Sequence, residues 1–243
     1  MNKSDINFFS AWYCPFAQRT WIALEYLNVC YQYQEVDPYK KTVQWMALSR
    51  GTGQVPVLQV NRESKREICI PDSLRTIEYL DDATSNSQKL FPLDPESRSE
   101  TRYWLDYQGK HIIPYFYRFL KAEKGSIAAE DASKEMLAGL EGFIKVLPLD
   151  GPYFFGKKPS AIDFALAPFV LRIKLVLSHY MDFQLPETGI EWRRFSTWWN
   201  AVKSQSAFVN TMPQPESYTE RLLAFYLPYS EGGGQDDVTR VPA

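Results

Sequence analysis

The chain has 243 residues, 45% hydrophobic and 23% charged, with a formal net charge of −2. That length allows one or two domains with a sizeable core, and the balanced charge argues against nucleic acid or an anionic membrane as partner. No run approaches the ~20 apolar residues of a membrane-spanning helix, residues 1–5 are too polar to open a secretory signal, and three cysteines cannot form a complete disulfide framework.

The first ~80 residues alternate strand and helix signals. Residues 6–9 read as a strand, and a helix opening at Pro15 puts Phe16, Thr20, Ala23, Leu24 and Leu27 on one face, with Asn28 able to cap its end. Residues 29–36 alternate as a second strand and stop at Asp37-Pro38. Strand, helix, strand at this spacing predicts a βαβ unit with parallel strands. After a less regular stretch, residues 55–60 and 67–70 flank a polar turn and predict an antiparallel hairpin. Asp72-Ser73 then opens a helix carrying Ile77, Leu80 and Ala83. Residues 1–83 thus form one small α/β domain.

Residues 84–93 read as a linker. Beyond them helical periodicity dominates through residue 229. Asp94-Pro95 predicts the start of a long helix reaching about Lys121, kinked by Pro114. A helix over 133–147 buries Met136, Leu140, Phe143, Ile144 and Leu147. Ser160-Ala161-Ile162-Asp163 forms a capping box, with Asp in place of the usual Glu or Gln, and opens an apolar helix to about Ser178. Further helices are expected over 191–203 and 216–227. Residues 230–243, rich in Gly and Asp, are expected to be disordered.

Cys14-Pro15-Phe16-Ala17 carries the chemistry. A cysteine before a helix that opens with proline sits at the N-cap, and proline suits the first position because its missing N–H had no intrahelical partner. The unpaired N–H groups and the positive end of the helix dipole favour a thiolate there. Its pKa can fall from about 8.5 to roughly 3.5–7.5, which makes a nucleophile at neutral pH. Cys30 and Cys69 have strand neighbours and read as small buried apolar residues. With two histidines and no paired cysteines, no metal site is expected, and the chain is expected to be reduced and cytoplasmic.

Cys-Pro-Phe-Ala-Gln-Arg at 14–19, Val-Pro-Val-Leu at 55–58 and Asp72-Ser73 together resemble the glutathione site of cytosolic glutathione transferases. The closest match is the cysteine-type omega class, and it covers nearly the whole chain, through about residue 230. Asp163, Pro168 and Arg172 keep the omega spacing, and 222–227 resembles the omega segment that carries a substrate-site tyrosine. The resemblance implies a thioredoxin-like domain followed by an all-helical domain, with glutathione as co-substrate and a homodimer as the assembly. It makes Cys14 the catalytic residue and implies glutathione contacts from Phe16, Lys41, Val55, Pro56, Asp72 and Ser73. Pro56 is the family's cis-proline, turning the Val55 backbone to pair with the cysteinyl unit as an added strand would. Asp72 and Ser73, where the family has Glu-Ser or Gln-Ser, hold the γ-glutamyl end at a helix N-terminus. The resemblance makes Lys41, with Lys40 as its rival, the candidate for the glycyl carboxylate. A hydrophobic or aromatic second substrate is expected between the domains, against Trp12, Tyr13, Tyr107, Arg172, Tyr218 and Tyr226.

A cysteine in this position implies glutaredoxin-like chemistry through a Cys14–glutathione mixed disulfide. Ala17 replaces the second cysteine of a C-x-x-C, so a second glutathione must resolve the disulfide. The expected reactions are deglutathionylation and reduction of dehydroascorbate or of glutathionyl quinones and ketones, with poor conjugation to aromatic halides. Two other readings compete. One is a non-catalytic carrier of hydrophobic or polyphenolic compounds. The other is a membrane-inserting relative of the intracellular chloride channel proteins, disfavoured because Gln18, Arg19, Glu25 and Asn28 interrupt the only apolar region of the first domain.

Overall fold

The computed structural model describes residues 6–62, 65–85, 87–235 and 237–239. The chain divides into two compact units, Met1–Pro92 with Ser204–Pro213, and Leu93–Lys203 with Gln214–Ala243.

The first unit is built on four strands, β1 (Ile6–Ser10), β2 (Gln32–Glu35), β3 (Val57–Arg62) and β4 (Lys65–Pro71), in the order β2-β1-β3-β4. β1 pairs parallel with β2 and antiparallel with β3, and β3 with β4 antiparallel. In register, Phe8 opposes Tyr33 on one side and Leu58 on the other, so one row of side chains points into the core. Phe8 and Leu58 are fully buried. The helices are α1 (Pro15–Tyr26), α2 (Val43–Leu48) and α3 (Ser73–Ala83). This is the expected thioredoxin-like βαβ–ββα arrangement.

Several details differ from the sequence reading. β2 is only four residues long, an edge strand with three of its four residues exposed. Helix α2 had no periodic signal because it is six residues long and buries a single side chain, Trp45. Thr42 caps it by accepting from the Trp45 N–H. On α1 the half-buried Phe16 is not part of the core face, whereas Gln18 and Arg19 are buried. Asn28 follows the helix at φ 52°, the left-handed position that ends helices and that Asn tolerates. Cys30 is exposed rather than buried, because the chain has not yet entered β2. Cys69 is partly buried, and burial followed by Glu67 pushes its thiol up against the opposing pull of Arg50.

The stretch read as a linker is tied to this unit. Lys89 Nζ donates to the carbonyls of Asp81 and Thr84, closing the C-terminal turn of α3 where a cation is favoured. Leu90 and Phe91 are buried.

In the second unit the long predicted helix is two, α4 (Pro95–His111) and α5 (Ile113–Lys121), with the break at Ile112. Proline at position 114 has no N–H to return to the preceding turn, and it restricts the residue before it. Asp94 caps α4 by accepting from the Ser97 N–H. α6 (Ile127–Lys145) starts six residues before the predicted point because Ser126 caps it, accepting from Ala129 N–H. α7 (Ala161–Arg172) continues through a π-helical turn (Ile173–Leu177) into α8 (Ser178–Met181). α9 (Ile190–Lys203) and α11 (Tyr218–Ser230) fall close to their predicted positions, while the short α10 (Ser206–Val209) belongs to the first unit. The second unit thus takes in Leu93–Lys203 and Gln214–Ala243.

The C-terminal segment, expected to be disordered, folds back on α5 over its described part. Arg118 Nε donates to the Thr239 carbonyl and Lys121 Nζ to that of Gln235. Residues 236 and 240–243 lie outside the described residues. Among the described residues, no helix is long and apolar enough to cross a membrane.

Candidate active site

Cys14 is the N-cap of α1, with extended backbone (φ −77°, ψ 119°) and Pro15 as the first helical residue. Its N–H donates to the Ala11 carbonyl at 2.9 Å, so the tight turn 11–14 delivers the thiol directly from the end of β1. The N–H of Gln18 returns to the Cys14 carbonyl at 3.0 Å, the first bond of the helix. The Cys14 side chain makes no capping hydrogen bond to the helix. It packs, partly exposed, against a buried cluster of Ala11, Ala17, Trp45, Val55 and Val57.

The loop before it is held from β2. Glu35 Oε1 accepts from the Trp12 N–H at 3.3 Å and Oε2 from the Tyr33 hydroxyl at 2.5 Å. Burial and that bond to Glu35 push the Tyr33 phenol up. Trp12 and Tyr13 are half-buried and meet edge-to-face at 5.7 Å.

Val55–Pro56 is the cis peptide bond among the described residues, as the family resemblance implied. Lys41 Nζ donates to the Gly53 carbonyl, two residues earlier, at 2.5 Å. Gly53 has φ +60°, and a Cβ there would lie 2.6 Å from Lys41 Cδ and 2.7 Å from its Nζ. Only glycine leaves that space to the lysine. Lys40 instead reaches back to Asp37 at 4.0 Å. The two lysines left open by the sequence therefore have different settings.

Asp72 and Ser73 stand at the start of α3. Asp72 has φ 78° and ψ 130°, a region in which a non-glycine residue is strained, and such residues concentrate at functional sites. Its Oδ1 accepts from Leu74 N–H and Arg75 N–H at 2.9 and 3.0 Å. The buried Ser73 hydroxyl accepts from Arg19 Nη1 at 3.3 Å.

Arg19 was missed by sequence reasoning as a site residue. Its guanidinium is 3% exposed and lies over the Phe16 ring at 5.3 Å. A buried cation beside a serine at a helix N-terminus is a ready partner for a carboxylate. The available signal was its spacing: Arg19 lies three residues, about one turn, beyond Phe16.

The expected second-substrate residues divide. Trp12 and Tyr13 flank the thiol. Tyr107, in the helical unit, directs its hydroxyl to the Gly139 carbonyl at 3.1 Å, and a Cβ at Gly142 would fall 2.0 Å from that oxygen. Arg172, Tyr218 and Tyr226 are 0%, 4% and 1% exposed, so their side chains lie in the buried interior. Arg172 Nε donates to the Tyr226 hydroxyl at 3.0 Å, and its Nη1 to the Pro168 carbonyl at 2.8 Å. Aromatic and arginine side chains in the sequence do not distinguish a pocket wall from a core, because both use flat apolar surface with a polar end.

A thioredoxin-like unit with a cysteine at a helix N-terminus, followed by a helical unit, defines the class of glutathione-transferase-like folds. Residues 8–88 match the sequence model of the glutathione S-transferase N-terminal domain. Glutathione S-transferase U28 of Arabidopsis thaliana is 27% identical over 221 residues, 91% of this chain and 94% of the relative. Glutathione S-transferase DHAR2 of the same plant is 27% identical over 203 residues, 84% and 85% of the two chains. The crystal structure of glutathione transferase Omega 3C from Trametes versicolor has a TM-score of 0.77 at 29% identity, covering 92% of this chain and 91% of its own. Residues 8–88 thus match a glutathione S-transferase N-terminal domain, and the chain is similar to glutathione S-transferases along most of its length.

Proposed function

We propose that this protein is a cysteine-type, omega-like glutathione transferase that performs thiol transfer through Cys14. The observation that supports it most directly is a thiol at the N-cap of α1, with Pro15 as the first helical residue. Glutathione is the co-substrate. Ser73 and Arg19 receive its γ-glutamyl carboxylate and Asp72 faces its ammonium. The Val55 backbone before Pro56 pairs with the cysteinyl unit, Phe16 flanks it, and Lys41 takes the glycyl carboxylate. Rice GST1, which shares this fold, was crystallised in complex with glutathione.

The reaction proceeds in two exchanges. The Cys14 thiolate attacks the glutathionyl sulfur of a mixed disulfide, forming the Cys14–glutathione bond and releasing the other thiolate. A second glutathione thiolate then attacks the glutathionyl sulfur, releasing oxidised glutathione and restoring Cys14. Ala17 offers no internal thiol for this step. Glutathionylated thiols are the direct substrates of these exchanges. With glutathionyl quinones or ketones the leaving group at the first step is the carbon fragment, which takes a proton. With dehydroascorbate, Cys14 adds to the carbonyl and a glutathione thiolate attacks the Cys14 sulfur, forming the Cys14–glutathione disulfide and releasing ascorbate. Aromatic compounds approach past Trp12 and Tyr13. The working protein is a cytoplasmic homodimer.

Intact mass after incubation with oxidised glutathione tests this reading. One glutathione adduct on Cys14 that is absent in Cys14→Ser supports it, while unchanged deglutathionylation by Cys14→Ser overturns it. No adduct and no thiol transfer in the unaltered protein, with polyphenol binding retained, would favour the carrier reading instead.

A further inference from the structure

Gln18 is a primary amide on α1 that is 1% exposed, one turn beyond Cys14. A buried amide is destabilising unless hydrogen-bonded. Its Nε2 donates to Thr211 Oγ1 at 3.0 Å, across 193 positions of sequence. Thr211 is fully buried, and its hydroxyl proton goes to the Phe208 carbonyl at 2.7 Å, which leaves the oxygen free to accept from Gln18. Thr211 lies in Ser204–Pro213, the segment that leaves the helical unit and packs with the thioredoxin-like one. Ala207 and Phe208 on α10 are buried there. A second bond ties the far end of α1, from Asn210 Nδ2 to Glu25 Oε2 at 2.9 Å.

We infer that Gln18 and Thr211 are positioning residues for the Cys14 thiol, and that the strap Ser204–Pro213 sets the attitude of the helix that activates it. The inference rests on the thiol-transfer reading given above. The helix field acts only within the first turn, and Gln18 is the residue whose N–H closes that turn on the Cys14 carbonyl. Freeing its side chain lets the turn shift relative to the sulfur and to the Val55 loop. None of the proposed glutathione contacts involves Gln18 or Thr211. Their loss should therefore lower the rate of chemistry and leave glutathione binding alone. Asn210 holds the opposite end of the helix and serves as the internal control.

Thr211→Val removes the hydroxyl at constant shape, Thr211→Ser keeps it, and Gln18→Met replaces the buried amide without orphaning Thr211. The readouts are kcat and KM for glutathione, the urea midpoint, and the rate of Cys14 alkylation at neutral pH followed by peptide mass. Thr211→Val and Gln18→Met are expected to lower kcat and the alkylation rate by about tenfold, the scale of a sub-ångström misplacement, with KM within about twofold. Thr211→Ser should restore both, and Asn210→Ala should lower the urea midpoint without changing alkylation. Loss of stability in folded Thr211→Val and Gln18→Met with unchanged alkylation and kcat overturns the inference and leaves the bond as packing. If Thr211→Val does not fold, Gln18→Met alone decides by the same criterion. Alkylation reads the thiol whatever reaction it serves. A normal alkylation profile with no thiol transfer in the unaltered protein would instead overturn the functional reading.

Discussion

Two helix N-termini, one in each unit, are finished in opposite ways. At α7 the Asp163 carboxylate is completely buried and accepts four hydrogen bonds, from Phe154 N–H, Ser160 N–H, Ser160 Oγ and Trp198 Nε1, at 2.7–2.9 Å. Burial pushes its carboxyl up, and these donors pull against that shift. Its polar groups satisfy one another. At α1 the N-cap is a cysteine whose side chain makes no capping bond to the helix, and the buried polar side chains that follow on the same helix, Gln18 and Arg19, bond to Thr211 and Ser73. A helix terminus capped by a buried carboxylate stabilises a fold, whereas one capped by a cysteine puts a thiol at the positive end of the helix dipole.

The largest expected effect breaks the α1 side of this contrast. Cys14→Ser should reduce thiol transfer to near background and keep glutathione affinity within about tenfold, or ~1.4 kcal/mol, in a titration calorimeter. Serine retains the shape of the cap but not the nucleophile. The urea midpoint should not move.

Asp163→Ala should do the reverse at α7. Four donors lose their acceptor, and leaving buried donors unmet costs about 1–3 kcal/mol each before relaxation. A loss of at least about 3 kcal/mol in urea unfolding is expected, with thiol alkylation of the folded fraction unaltered. An equal fall in Cys14 reactivity would mean the two termini are not independent.

Arg19→Leu, Ser73→Ala and Lys41→Ala sharpen the comparison by testing whether the polar groups near α1 serve a ligand. Each would remove a hydrogen bond proposed to a glutathione carboxylate, with binding expected to weaken by about 1.5–3 kcal/mol. Unchanged affinity in Lys41→Ala would return the assignment to Lys40. Gly53→Ala, which crowds Lys41 from its place, should mimic Lys41→Ala in the same titration.

Tyr226→Phe measures what the buried Arg172 bond contributes. A loss of about 1–2 kcal/mol in stability is expected, because Arg172 Nε loses its acceptor. Fluorescent-probe and polyphenol affinities should stay as they were. A changed probe affinity would restore these residues to a binding role.

The smallest effect concerns α4. Its capping bond from Ser97 holds the Asp94 carboxyl below the usual carboxylate range. A lowered folded value means the stabilisation is present above the ordinary carboxylate pKa and is lost as pH falls through the lowered one. The urea midpoints of the unaltered protein and Asp94→Ala should therefore differ at neutral pH and converge in acid.

By itself the sequence determined the elements with strong local causes. The β1–α1–β2 unit followed from alternation and helical periodicity, the start of α4 from Asp94-Pro95, the break near Pro114 from a missing N–H, and the α7 capping box from Ser160 and Asp163. The Cys14-Pro15 pair was legible as a helix N-cap because the chemistry of both residues acts within one turn. What only the tertiary structure decided depends on partners far along the chain. Helix α2 is too short to show a period, and it exists because Thr42 caps it and Trp45 has a cluster to fill. In the sequence Gln18 and Arg19 only interrupt an apolar region, and it is Thr211 and Ser73 that supply the bonds that let them be buried. Arg172 and Tyr226 have the composition of a pocket and the position of a core. Local sequence sets propensity and capping, but whether a polar side chain faces water, a ligand or another buried group is fixed by which distant atoms the fold brings within hydrogen-bonding range.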